Sequence, residues 1–219
     1  MPARRESDRP ERIGILGGTF DPPHVGHVAA ARAVQAALSL DRLLLVVAND
    51  PWQKSPTRVI TPAEDRFAMT EALAEDLPGV EASRMEIDRG GPSYTVMTVE
   101  AILAEAESEA DASGDPDAEP PEIFLVVGAD LVPDLGTWER VADLKELVTL
   151  AVVSRPPAED GGILSAPWGW RVEWIDGPQV DVSSSAVRQA LAQGESVTDL
   201  VPEAVIRCMA RRDLYAVRR

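Results

Sequence analysis

The run Arg12-Ile13-Gly14-Ile15-Leu16 leads straight into Gly17-Gly18-Thr19-Phe20-Asp21-Pro22-Pro23-His24-Val25-Gly26-His27, so that residues 12–27 read RIGILGGTFDPPHVGH. A short apolar run ending in a glycine pair predicts a buried strand that stops where backbone must come close to a ligand. Pro22-Pro23 stiffens the descent from that point. Beyond His27, VAAARAVQAALSL supplies strong helix formers with an apolar face at helical spacing. A strand, a glycine loop and a helix follow one another within forty residues.

The same alternation continues outward. LLLVVAND (43–50) reads as a second buried strand. Thr61-Pro62-Ala63-Glu64 predicts a helix start, with threonine as N-cap, proline in the first helical position and glutamate three residues after the cap; the helix runs to about Leu77. VEASRMEID reads as a strand with partial alternation, and Ser93-Tyr94-Thr95 precedes an amphipathic helix from about Val96 to Glu107. EIFLVVGAD is a central strand, TWERVADLKEL a helix, and LVTLAVVSR and WRVEWID further strands. Ser183-Ser184-Ser185 caps the helix VRQALAQG, and VPEAVIRCMARRDLY closes the chain as a last helix. Strands alternating with helices, with continuous apolar runs at the centre, predict an α/β fold: a doubly wound, mainly parallel sheet with helices on both faces, in a single domain.

Residues 1–11 read as a flexible N-terminal arm, residues 12–219 as the domain, and residues 107–122 as an acidic, mobile insertion or an acidic docking loop. In open parallel sheets ligands bind at the carboxyl ends of the strands, beside the switch in strand order. GGTFDPPHVGH, AND-PWQK and GAD each follow a predicted strand and fall at that end.

The formal net charge of −16 argues against a broad nucleic-acid surface, but not against small anionic ligands in a pocket of locally opposite field. No apolar run is long enough to span a membrane, and MPARRESDRPER has no apolar stretch behind it to make a signal peptide. With the single cysteine, Cys208, read as a small buried hydrophobe, the chain is expected in the cytoplasm; a homo-oligomer is compatible with the sequence. Lysine occurs only at 54 and 145, which singles out Lys54 in the loop after the second strand; the other reading is a solvated loop lysine.

Both histidines of the chain lie in residues 24–27. The loop is not a P-loop and lacks the GxGxxG spacing, so neither standard phosphate loop applies. A helix N-terminus nevertheless attracts anions, and two imidazoles placed there form a patch of donors for a phosphate. The competing reading is a pair of unrelated surface histidines. A zinc site is disfavoured, because no third clear ligand is near. At the other end of the chain, serines 184 and 185 at a helix start and Arg188 in its first turns offer further donors, against a plain N-cap with a surface arginine.

GGTFDPPHVGH resembles the GGTFDPxHxGH signature of the nucleotidylyltransferase superfamily, and most of all that of bacterial nicotinate-nucleotide adenylyltransferases. RGGPSYT (89–95), VVGAD (126–130), Trp138, VVSRP (152–156) and VSSSAVR (182–188) follow in that family's order and spacing. The resemblance implies a Rossmann-like fold and transfer of the adenylyl group of ATP to nicotinate mononucleotide, with Mg²⁺ carried on the ATP and no dedicated protein metal site. It implies that His24, His27, Lys54 and Arg188 are catalytic. The ATP site would then comprise Gly17, Gly18, Thr19, His24, His27, Asp130, Ser184, Ser185 and Arg188. Lys54, Tyr94, Thr95 and Trp138 would hold the mononucleotide, through backbone N–H groups at 94 and 95 and stacking on the tryptophan. Asp130 would bond a ribose hydroxyl or, on the residues alone, cap a helix; Trp138 would stack on the pyridine ring or sit in the core.

The chain departs from the family pattern where Pro51-Trp52-Gln53-Lys54 replaces PPHK, at Ser185 in place of threonine, and at Pro157 in place of glycine. Rival functions are a relative using nicotinamide mononucleotide or phosphopantetheine as acceptor, and a non-catalytic nucleotide-binding sensor. A fragment of an aminoacyl-tRNA synthetase fits badly, since the chain is short, acidic and without a KMSKS-like loop.

Overall fold

In a computed structural model of the protein, which describes residues 9–51, 59–114, 119–154, 169–177 and 180–216, the strands are β1 (Arg12–Gly18), β2 (Arg42–Val47), β3 (Val80–Ser83), β4 (Glu122–Gly128), β5 (Thr149–Ser154) and β6 (Val172–Asp176). They form one sheet in the order β3-β2-β1-β4-β5-β6 with every neighbouring pair parallel. β1 pairs Leu16 with Leu45 of β2 on one side and Ile15 with Leu125 of β4 on the other. The strand order reverses between β1 and β4, which is where ligands bind in such sheets.

Successive strand residues point to opposite faces, and both faces are covered. Leu43, Leu45 and Val47 enter one apolar cluster while Leu44 and Val46 enter the other; Phe124 and Val126 part from Ile123, Leu125 and Val127 in the same way. That is why these strands are unbroken apolar runs and not alternating ones. On the first face lie α1 (Val25–Leu38), α2 (Ala63–Ala74), α6 (Ser184–Ala192) and α7 (Glu203–Arg211), contributing Val34, Met69, Val187 and Met209 among others. Against the second lie α4 (Thr95–Ser113) and α5 (Val141–Leu147), with Val96, Val99, Ile102 and Leu144; the short α3 (Met85–Arg89) follows β3. Cys208 is buried in α7, as expected.

Four local readings change. The N-cap of α2 is Pro62, and the Thr61 hydroxyl bonds Tyr215 instead of the helix. VEASRMEID is a strand only to Ser83; Arg84 pairs with Asp88 one turn on, and Gly90 at φ 71° ends the α3 turn. The helix expected to end near Glu107 continues to Ser113, because alanine and glutamate favour helix whatever their solvation. α5 begins only at Val141, behind its left-handed N-cap Arg140 at φ 47° and a 3₁₀ stretch (Ala129–Thr137) that holds Pro133. Of the expected arm, Arg9 bonds Asp41 through both terminal nitrogens at 2.7 Å, and residues 1–8 lie outside the described residues, as do 115–118 of the acidic stretch.

Candidate functional site

The loop leaving β1 turns over Phe20, buried at φ 50°, whose ring occupies the space a side chain at Gly18 would need: a Cβ there would stand 2.9 Å from it. Asp21-Pro22 is a cis peptide, and His24, extended at φ −146°, is the residue before α1. The His24 backbone N–H donates to Nδ1 of His27 at 3.1 Å. With Nδ1 accepting, the neutral His27 ring carries its proton on Nε2. The two imidazoles lie 3.8 Å apart between centroids, with the Phe20 ring 4.9 Å from His27. Gly26 is required by this packing, since a Cβ there would come within 2.9 Å of His24 Nδ1 and 3.0 Å of the Val182 side chain.

His24 is only 8% exposed, and burial lowers its pKa to about 4. It is therefore a neutral imidazole near pH 7. The unfolded chain titrates near the ordinary value of about 6.5, so the stabilisation is complete above that pH and is lost as pH falls towards 4. We expect about 2–3 kcal/mol of stability to disappear between pH 7 and 4.5 through this group. Urea unfolding at the two pH values, compared with a His24→Asn variant that lacks this share of the loss, checks it; an equal loss in the variant contradicts it.

The N-terminus of α6 docks on the same loop. Ser183 accepts from the Ala186 N–H, Ser184 Oγ donates to the Pro22 carbonyl at 2.9 Å, and Arg188 donates to the Asp21 carbonyl at 2.7 Å and to Ser185 Oγ at 3.0 Å. No acidic side chain lies in the first turn of α1 or α6. Imidazoles, hydroxyls, a guanidinium and two helix starts thus gather at one place, a donor set that suits an anion. From the sheet side, Arg66 of α2, 1% exposed, donates to four backbone carbonyls: Thr61 (2.8 Å), Thr19 (2.9 Å), Ala48 (2.6 Å) and Asn49 (3.0 Å).

Beside this region a cavity of about 160 Å³ opens at the ends of β1, β2 and β4, lined by Gly17, Gly18, Thr19, Glu86, Thr95 and Trp138 among others. Gly17 leaves its side of the cleft open, with nothing near the place of a Cβ. Gly90 and Gly91, both at positive φ, lead into Ser93, whose hydroxyl accepts from the Asn49 N–H at 2.9 Å, while Asn49 Nδ2 donates to the Gly91 carbonyl. This brings the start of α4 to the cavity, and its first turn carries no acidic residue. Below it, the buried Glu86 carboxylate accepts from Thr98 Oγ1 at 2.6 Å, with the Arg89 guanidinium 3.9 Å away.

Of the residues singled out in the sequence, His24, His27, Ser184, Ser185 and Arg188 come together, and Gly17, Gly18 and Thr19 join them to the cavity that holds Thr95 and Trp138. Trp138 is both cavity wall and half-buried packing partner of the second core cluster. Tyr94 is the residue before α4 and packs its side chain on that cluster, and Asp130 is exposed in the 3₁₀ stretch, folded against Gly128 and not in its capping position. Lys54 lies outside the described residues. Sequence reasoning missed Arg66, Asp21, Glu86 and Tyr215. Arg66 left a signal, since with Met69, Thr70 and Leu73 it falls at i, i+3, i+4 and i+7 on the buried stripe of α2. Among the described residues no group of three or more His, Cys, Asp or Glu is placed to hold a metal ion.

Residues 15–190 match the model of the Cytidylyltransferase-like family. A probable nicotinate-nucleotide adenylyltransferase of Thermus thermophilus is 41% identical over 207 residues, spanning 93% of this chain and 99% of its own. The protein so named from Corynebacterium kroppenstedtii is 38% identical over 204 residues, spanning 93% and 90%. Among solved structures, the Plasmodium falciparum nicotinic acid mononucleotide adenylyltransferase complexed with NaAD superposes with a TM-score of 0.67 over 95% of this chain and 98% of that one. At 15% identity that likeness is one of fold.

Proposed function

The chain belongs to the Cytidylyltransferase-like family and, within that superfamily of folds, to the nicotinate-nucleotide adenylyltransferases, and from this premise we propose that it transfers the adenylyl group of ATP to nicotinate mononucleotide, releasing pyrophosphate and nicotinate adenine dinucleotide. The observation that carries the reading is the continuity of two regions: a donor cluster around His24 and His27 and a cavity walled by Trp138 and the start of α4, sharing Gly17–Thr19. An anionic triphosphate suits the first, and a flat ring bearing an anionic group suits the second.

The acceptor phosphate oxygen is anionic at neutral pH, so its in-line attack on the α-phosphorus needs no general base. The residues contribute position and charge stabilisation. His27, with its proton on Nε2, donates to the reacting phosphoryl group; His24 is a second, neutral imidazole beside it. Ser184, Ser185 and Arg188 hold the α6 helix start against the triphosphate, and Gly17, Gly18 and Thr19 let it approach the backbone. Tyr94 and Thr95 offer N–H groups to the nicotinate carboxylate while Trp138 stacks on the ring. Lys54 and, at a ribose hydroxyl, Asp130 are assigned on the family resemblance. The donor set suits phosphate and not a bare cation; Mg²⁺ carried on ATP would supply charge neutralisation at the leaving pyrophosphate, without a dedicated protein site.

Among the described residues no helix is long and apolar enough to cross a membrane. On the family resemblance we assign the enzyme to the cytoplasm, and on its net charge of −16 to small-molecule partners and not nucleic acid. Pyrophosphate release with nicotinate against nicotinamide mononucleotide tests the reading. Loss of charged hydrogen bonds to the carboxylate is expected to lower kcat/KM by about 10²-fold for the amide. Equal rates contradict the carboxylate contact, and no release with either acceptor from a folded, ATP-binding preparation favours a sensor.

A further inference from the structure

The C-terminal turn reaches back to the histidine loop. The Tyr215 hydroxyl donates to Asp21 Oδ1 at 2.6 Å, across 194 residues of sequence, and accepts from Thr61 Oγ1 at 3.2 Å. Asp21 is 1% exposed, and its carbonyl is held in turn by Arg188. To bring the ring there, Asp213 and Tyr215 both adopt left-handed backbone, at φ 53° and 56°, a conformation L residues other than glycine avoid unless the surroundings enforce it. The ring packs on the first core cluster beside α6 and α7. Burial, and then the adjacent Asp21 carboxylate, push the hydroxyl pKa upwards, so it stays a proton donor at neutral pH.

Asp21 is three residues from His24, and the intervening Pro22 is bonded at its carbonyl by Ser184. The segment from Asp21 to His24 is thus short and tied at two carbonyls, the route by which a shift of the Asp21 anchor would reach the imidazoles. We propose that Tyr215 is a positioning residue for adenylyl transfer, acting through Asp21 to fix where the His24 and His27 rings stand. The inference rests on the function proposed above, but its contact is readable without turnover, because the chain has only two histidines and ¹⁵N-histidine labelling reports their rings alone.

The test is Tyr215→Phe, which keeps the ring and removes the hydroxyl, in the full-length chain. A Val148→Ala variant, which opens a buried site behind α5 in the second core cluster, on the face of the sheet opposite the Tyr215 ring, serves as the control for simple destabilisation. For Tyr215→Phe, kcat for pyrophosphate release is expected to fall about tenfold, the scale of one hydrogen bond to a charged group, with KM for ATP within about twofold of the parent. Both imidazole resonances are expected to shift. Val148→Ala is expected to lower Tm while leaving kcat and the imidazole signals in place. Asp21→Ala combined with Tyr215→Phe should be no worse in kcat than the worse single variant, as for partners in one contact. A Tyr215→Phe protein that loses Tm but keeps the parent kcat and histidine spectrum overturns the proposal, and so does a double variant whose losses add. A parent protein without pyrophosphate release would instead remove the adenylyl-transfer reading, while the histidine spectra still report on the Tyr215 contact.

Discussion

His27→Ala lowers kcat by about 10²–10³-fold, equivalent to roughly 3–4 kcal/mol of transition-state stabilisation, while ATP affinity changes far less. The asymmetry follows from what the ring is placed to do. Its Nδ1 is committed to the His24 backbone N–H, so the proton on Nε2 has a fixed direction, set before substrate arrives. A donor fixed in this way is worth most when negative charge grows on the reacting phosphoryl oxygens, and less against the ground-state triphosphate, which in the proposed arrangement Arg188 and the helix starts also attract. Removing the ring also leaves the His24 N–H without its partner at the head of α1, a cost to folding of about 1 kcal/mol. Single-turnover kinetics beside ATP titration separate the two effects. Equal losses in binding and turnover contradict the assignment.

Arg66→Met is the substitution with the largest expected effect on stability, about 3–5 kcal/mol, or a fall of about 10 °C in Tm. The methionine fills most of the buried side-chain space but leaves the carbonyls of Thr19, Ala48, Asn49 and Thr61 without the guanidinium that now serves them. Arg66→Lys recovers less than half, because one ammonium cannot span four acceptors that a planar fork reaches. Chemical denaturation measures the difference; a methionine variant within about 1 kcal/mol of the parent would show that the tie is dispensable. Thr19 and Ala48 follow β1 and β2 and line the cavity, so the same variant also loosens two of its walls.

The strands and the histidine loop are legible in the sequence because their signals are local. RIGIL, LLLVV and EIFLVV are short β-rich apolar runs of the kind a sheet buried on both faces uses, and the glycine pair marks where β1 stops. The Ser183 cap of α6 is legible for the same reason, since its hydroxyl bonds a residue three positions on. What escapes are contacts whose partners are far apart in the chain. Thr61 looks like a helix cap in TPAE, yet its hydroxyl bonds a tyrosine near the C-terminus. Asp21 resembles an ordinary turn residue until Tyr215 and Arg188 close on it. Arg66 carries a periodicity signal, but a charge in a helix is read first as solvated surface, and only the carbonyls converging from β1, β2 and the entry to α2 explain its burial. The extension of α4 escapes because an acidic composition signals solvation and masks the helix propensity of the same residues.

The place of β1 between β2 and β4 also governs how the protein is made. The strand is synthesised first, and β2 and β3 can join it as soon as they emerge, but its other edge waits for residues 122–128. Throughout that interval the nascent chain carries a three-stranded half-sheet whose unpaired, apolar margin can template a strand from a neighbouring chain. The seam proposed to receive nucleotides in the finished enzyme is therefore the margin that needs shelter on the ribosome, and β4 is the segment whose arrival ends the exposure.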